Sequence, residues 1–303
     1  MEETFVLIVG GVGGPVGGPW PLYPEIYPAV SGCFLPALPK GRNLASTFVT
    51  TGPSPKVVTC GGGYLASCLV LDVDNQRWDE NMMDELPQPR GYHAAVSVED
   101  IGTYLIGGGP GNNKRTSDFL AEGTTEWVAG PALPVDMNAP CAVKISNLTF
   151  LVIHGTEILE YQVDITNPTS NSGWQSSSKW PQMQTSRGHN PGCSKIENYI
   201  VIAGGYDSGQ FLRSTEVLNL STRIIVAAGD LNTPRAYFHL ATITRDGQQQ
   251  IFAIGGFTGS SNLNSVEKFN LSNNTWTQAP TNLVEAKRMF GAVTLQRELI
   301  CTT

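Results

Sequence analysis

Long apolar runs are missing from this 303-residue chain; none approaches the ~20 residues that a membrane-spanning helix needs. Blocks of Lys or Arg are missing too. With 26 acidic against 19 basic residues the net charge is −7, and an acidic surface repels phosphate backbones, so nucleic acid is not an expected partner. The start, Met1 to Val9, has no basic stretch, and its apolar run is too short for a signal core. The expected compartment is therefore cytoplasmic, or extracellular if a signal has been removed. Histidine is scarce, at His93, His154, His189 and His239, and neither a zinc-type H-E-x-x-H nor a G-x-S-x-G nor a G-x-x-x-x-G-K-[ST] loop occurs. No metal and no cofactor are expected.

What the chain has in quantity is turn chemistry, with 33 Gly and 20 Pro spread along its length. Length alone suggests about two domains of roughly 150 residues, but repeat architectures override that prior. A short apolar run ending in glycine recurs at Phe5–Gly11, Val57–Gly63, Tyr104–Gly109, Phe150–Gly155, Tyr199–Gly205 and Ile251–Gly256. The first Gly stands at 10, 61, 107, 204 and 255, with His154 in its place in the fourth copy, giving spacings of 51, 46, 47, 50 and 51. A period near 50 marks a propeller blade or a similar unit.

Other marks keep phase with the glycines. A strand-like segment follows, carrying Glu25, Glu160, Glu216 or Glu267, and then a Trp in most copies: Trp78, Trp127, Trp174 and Trp276. A Pro-rich turn then leads to a basic residue, at Arg42, Arg90, Arg187, Arg235 and Lys287-Arg288, while the third copy lacks it and reads Leu133-Pro134-Val135-Asp136. A strand of small residues closes each unit, as in His93-Ala94-Ala95-Val96 and Gly291-Ala292-Val293. Each unit thus reads as four short strands, whose uncovered faces and edges require neighbouring units in a closed ring. The Trp side chains are expected to pack between neighbours. The opening Val9-Gly10-Gly11-Val12-Gly13-Gly14 is not read as a dinucleotide loop, because Pro15 and the Pro-rich stretch after it oppose the helix that such a loop must open.

This order of diglycine, acidic strand, Trp, LPxxR turn and small-residue strand resembles the kelch repeat over nearly the whole chain. The resemblance implies an all-β, six-bladed β-propeller of four-stranded blades over residues 1–303, with repeats starting near 5, 57, 103, 149, 199 and 251. It also implies that the ring is closed by the last strand, near Phe290–Leu295, completing the first blade. Residues 298–303 look like a seventh repeat cut short. Gly32-Cys33-Phe34-Leu35-Pro36 and the segment around Cys60 look like extracellular kelch proteins of invertebrates. Cys60 and Cys68 fall on adjacent antiparallel strands within bridging reach, the other reading being buried free thiols. Sequons stand at Asn147, Asn219, Asn270 and Asn273, close to the roughly three that chance supplies.

Kelch propellers commonly bind a partner protein or peptide on the face where the loop after the diglycine meets the loop after the LPxxR turn. Carried to this chain, the resemblance points to Tyr64, Tyr206, Asp207 and Phe257 after the glycines. Around the turns it points to Arg90, Tyr92, Arg187, His189, Arg235, Tyr237, Arg288 and Phe290. Tyr, Phe and Arg suit a hot spot because they bury much area with few rotamers to fix. For the Arg side chains a role bracing neighbouring blades is equally open. The expected function is a protein-interaction module, not an enzyme, that works as a monomer. The alternatives are a secreted glycan- or ligand-binding kelch protein and a sugar-processing enzyme resembling sialic-acid mutarotases.

Overall fold

A computed structural model describes residues 3–14, 21–63, 65–109 and 114–301. Among them there is no α-helix, and the main sheets are six antiparallel blades in a ring. Blade 2 runs outward through Ser46–Val49, Val57–Cys60, Cys68–Asp72 and Arg77–Asp79. Blade 3 uses Ala94–Val98, Gly102–Ile106, Ser117–Ala121 and Trp127–Ala129. Blade 5 uses Gly192–Ile196, Tyr199–Ala203, Thr215–Asn219 and Ile225–Ala228, and blade 6 uses His239–Arg245, Gln248–Ile254, Val266–Asn270 and Thr275–Gln278.

Blades 1 and 4 differ from the four-stranded expectation, with three strands each. Blade 4 has Cys141–Ser146, Thr149–His154 and Glu157–Gln162, and its outer edge keeps only a single bridge from Tyr161 to Trp174. Two short 3-10 turns, Asn171–Gly173 and Ser177–Lys179, take up the chain that a fourth strand would need. In blade 1 the segment after Glu25–Tyr27 carries Pro28, Pro36 and Pro39, which supply no N–H for a ladder.

The ring closes as expected. Gly291–Gln296 is the innermost strand of blade 1 and pairs along the full length of Thr4–Val9, from Thr4 opposite Gln296 to Val9 opposite Gly291. Residues 297–301 then turn back. Ile300 is buried in the core between blades 1 and 2, and Cys301 is bonded to Cys33. The end of the described chain is therefore a latch on the first blade.

Six apolar clusters hold the ring, and each lies between two adjacent blades. The blades alternate large residues across these gaps. Phe48 of blade 2, for example, meets Trp127 of blade 3 edge-on at 6.0 Å between ring centroids. Trp78, Trp127 and Trp276 are buried in this way. A sheet that cannot cover its own faces is covered by its neighbours, so no blade is a separate core.

Candidate functional site

One repeated tie explains why diglycine, turn and acidic strand keep phase. The carbonyl of each residue at the Arg position accepts the N–H of a glycine in the preceding blade. Gly62 N donates to Arg90 O at 2.8 Å, Gly205 N to Arg235 O at 2.9 Å and Gly256 N to Lys287 O at 2.9 Å. The side chain then reaches forward into the next blade. Arg90 Nη1 donates to Gly107 O at 2.7 Å, Arg187 Nη1 to Gly204 O at 2.8 Å and Arg235 Nη1 to Gly255 O at 2.9 Å. Gly61 takes φ of +67°, and a Cβ there would stand 2.2 Å from Arg90 O, so only glycine admits this approach.

The third-strand acid completes the tie. Glu267 accepts Arg235 Nη2, Asn232 N at 2.7 Å and Thr233 N at 3.0 Å; Glu216 repeats the pattern with Arg187 Nη2, Gln184 N at 2.8 Å and Thr185 N at 3.2 Å. Asp118 takes Arg90 Nε at 2.9 Å, and Glu25 takes Lys287 Nζ at 3.0 Å. Burial lowers the basicity of Arg187 and Arg235, and the paired glutamates oppose that shift. Arg90, Arg187 and Arg235 are sealed inside the fold with these donors turned inward. Their geometry is that of braces between blades, and the exposed face does not include them. In the third repeat Met137 holds the same backbone position, through Gly108 N to Met137 O at 2.8 Å.

Two residues after each brace, or three in the connection to blade 5, the chain turns left-handed around the channel mouth. Leu44, Tyr92, Ala139, Asn190, Tyr237 and Met289 have φ of 60, 57, 56, 48, 58 and 57°. Non-glycine residues rarely adopt this region, and hydrogen bonds to the neighbour hold several of them there. Leu44 N donates to Met289 O at 2.7 Å, Tyr92 N to Leu44 O at 3.1 Å, Asn190 N to Ala139 O at 3.0 Å and Met289 N to Tyr237 O at 3.1 Å. This collar and the small-residue strands behind it enclose a central cavity of about 180 Å³.

The next position packs inward. His93, Phe238 and Phe290 lie against glycines of neighbouring loops, where Cβ atoms added at Gly61, Gly204 and Gly11 would come within 3.0 Å of them. Phe290 is thus a half-buried plate in the core between blades 6 and 1. His93 is buried, neither ring nitrogen has a hydrogen-bond partner among the described residues, and burial lowers its pKa to about 3.

Above the collar the loops after the diglycines fold onto the loops after the turns. His189 bridges Tyr206, and Ala236 bridges Phe257. A track of side chains results. His189 lies 6.3 Å from Tyr206, Tyr206 lies 5.0 Å from Phe211 and Phe211 lies 5.5 Å from Phe257, all between ring centroids. The Arg288 guanidinium stacks on Phe257 at 3.9 Å. It stands beside Tyr237 and Tyr92, whose rings are 6.5 Å apart. Every ring in the track is half-buried.

Asp207 sits at the track's edge, where it accepts Ser186 Oγ at 3.0 Å and Ser208 Oγ at 3.0 Å. Tyr64 lies outside the described residues. Phe211 escaped the sequence reading because it follows a two-residue turn off the repeat pattern, in the small hairpin of Tyr206–Asp207 with Gln210–Phe211. Arg288 has no acid against it among the described residues. Its Nε and Nη1 are shielded and make no hydrogen bond among the described residues, and burial lowers its pKa while the two phenols oppose that.

A family model described as the kelch motif matches residues 187–224 and 247–283, which are the heart of blades 5 and 6. The chain is a kelch-repeat propeller. This propeller is similar to three proteins of Caenorhabditis elegans. Kelch repeat-containing protein kel-10 is 26% identical over 36% of this chain and 19% of its own length. Kelch repeat and BTB domain-containing protein F47D12.7 is 24% identical over the same shares. Spermatocyte protein spe-26 is 24% identical over 73% of this chain and 39% of its own. The kelch propeller spans between about a fifth and two fifths of the length of the curated relatives it matches.

Proposed function

We propose that this propeller is a protein-interaction module that takes an extended peptide carrying a carboxylate along the track from His189 to Tyr92. One observation carries the reading. Arg288 is a stacked, half-buried guanidinium with unused donors, set among aromatic rings at the channel mouth. A half-buried guanidinium that faces no acid among the described residues gains from meeting a carboxylate. The rings flanking it supply apolar area at little rotamer cost. Sugar processing would ask for carboxylates and Arg in the channel; the described lining instead combines Tyr92, Tyr237, His93, His239, Phe238 and Phe290 with apolar and small residues.

The test is panning of the immobilised protein against a displayed peptide library, comparing wild type with Arg288→Ala and with Tyr237→Ala. Enrichment of Asp- or Glu-bearing peptides by wild type, lost with Arg288→Ala, is the expected result. Enrichment unchanged by either substitution, or no enrichment, rejects this face.

A further inference from the structure

In an antiparallel blade the turns alternate between two faces. The loops after the second and fourth strands build the collar face, and the turns after the first and third strands build the opposite one. All four Asn-X-Ser/Thr triplets fall on the opposite face, on three consecutive blades. Asn147 is in the turn between Cys141–Ser146 and Thr149–His154 of blade 4. Asn219 ends Thr215–Asn219 of blade 5, and Asn270 and Asn273 flank the turn from Val266–Asn270 to Thr275–Gln278 of blade 6. Asn147, Asn270 and Asn273 are exposed, while Asn219 is half-buried.

Local geometry leaves the reacting nitrogen free. Asn270 Oδ1 accepts Ser272 N at 2.9 Å, and Asn273 Oδ1 accepts Thr275 Oγ1 at 2.7 Å. The oxygens hold the turn, and Nδ2 is not needed by it. A second, independent observation concerns redox state. All six cysteines are paired, as Cys33–Cys301, Cys60–Cys68 and Cys141–Cys193, and none is free. The first pair closes the latch and the third joins the innermost strands of blades 4 and 5. Such a set persists in oxidising compartments, where sequons also meet their glycan donor.

We propose that this chain is an N-glycoprotein, with glycans on the turn face at Asn147 and at the Asn270/Asn273 turn, and with the collar face left bare. In the step, Asn Nδ2 bonds to the anomeric carbon of an oligosaccharide carried on a polyprenyl pyrophosphate. The bond from that carbon to the pyrophosphate oxygen breaks, the lipid pyrophosphate leaves, and Nδ2 gives up one proton. No oxidation is involved. The disulfides form separately, by exchange with an oxidised protein disulfide that takes up the two electrons of each pair. Asn270 and Asn273 are too close to carry two bulky glycans, so that turn takes one.

The test uses protein purified from its natural source, alkylated without reduction, digested, and treated with peptide N-glycosidase in ¹⁸O-water. The expected result is ¹⁸O-labelled Asp in the peptide of at least one of the two turns, with all six cysteines resistant to alkylation. Unlabelled Asn at both turns overturns the proposal, whatever is found at Asn219, and so do freely alkylated cysteines. Peptide docking is read on Arg288 variants, so either idea can fail without the other.

Discussion

Tyr92 and Tyr237 leave the collar three connections apart in a ring of six, and so from opposite sides, yet their rings meet over the channel mouth 6.5 Å apart. Burial raises the Tyr237 phenol above its ordinary pKa, and the nearness of Tyr92 adds to the shift. The pair is a cover on the cavity, made by side chains rather than by a loop. Replacing both with Ala should weaken peptide binding by about 2 kcal/mol or more per anchor, as expected of central aromatic contacts. The melting temperature should change little, because neither ring belongs to an inter-blade core. Isothermal titration with a peptide selected on the wild type, alongside a thermal melt, checks both halves.

Glu267 is the acid of a brace buried to 0% exposure, with four donors pointed at it. Glu267→Ala should cost roughly 3–5 kcal/mol, because it strands the Arg235 charge in the core. A paired Arg235→Met, Glu267→Leu variant should lose less than the single change. Denaturant titration of the three proteins decides; equal losses would mean that the charge pair matters less than the packing.

The two disulfides of blades 1 and 2 differ in what they close. Cys33–Cys301 spans 268 residues and Cys60–Cys68 spans 8. Chain-entropy reckoning gives about 5 kcal/mol for the long loop and about 2.5 kcal/mol for the short one. Cys301→Ser should therefore lower the melting temperature more than Cys68→Ser does, and scanning calorimetry of the two variants ranks them.

His93 gives the fold a pH dependence of known sign. Its folded pKa is lowered to about 3 by burial, from an ordinary value near 6.5. Above pH 6.5 both states are neutral and nothing is lost. Below it the unfolded chain takes up the proton first, so stability falls from about pH 6.5 downward until the folded pKa is reached. His93→Phe should flatten the melting temperature profile between pH 6.5 and 4.5 relative to wild type. An unchanged slope would place the sensitivity in other groups.

The ring was legible in the sequence because the tie between blades needs three marks in phase: a glycine pair, a basic residue and an acid. Most copies carry all three, so the marks recur in register even where one copy departs, as at His154 and Met137. Cys60 and Cys68 were legible for the same reason, being opposite on neighbouring strands. Cys141–Cys193 and Cys33–Cys301 were not, since they join residues 52 and 268 positions apart and depend on ring geometry. Residues 298–303 read as a seventh repeat cut short, but 298–301 fold as a latch, because Ile300 and Cys301 find partners in blade 1 that no local pattern announces. For Arg90, Arg187 and Arg235 the sequence left bracing and binding open; only their burial separates them from Arg288, one position further along its turn.

The latch also has a mechanical meaning. Tension applied between the first and last residues would run through Cys33, across the sulfur bridge to Cys301, and out. The 268-residue loop between those cysteines lies in parallel with one covalent bond and carries almost none of that load. Pulled from its ends, the molecule would release only the strands ahead of Cys33, which are Thr4–Val9, Val12–Gly13 and Glu25–Tyr27, while the other five blades stay slack behind the bridge.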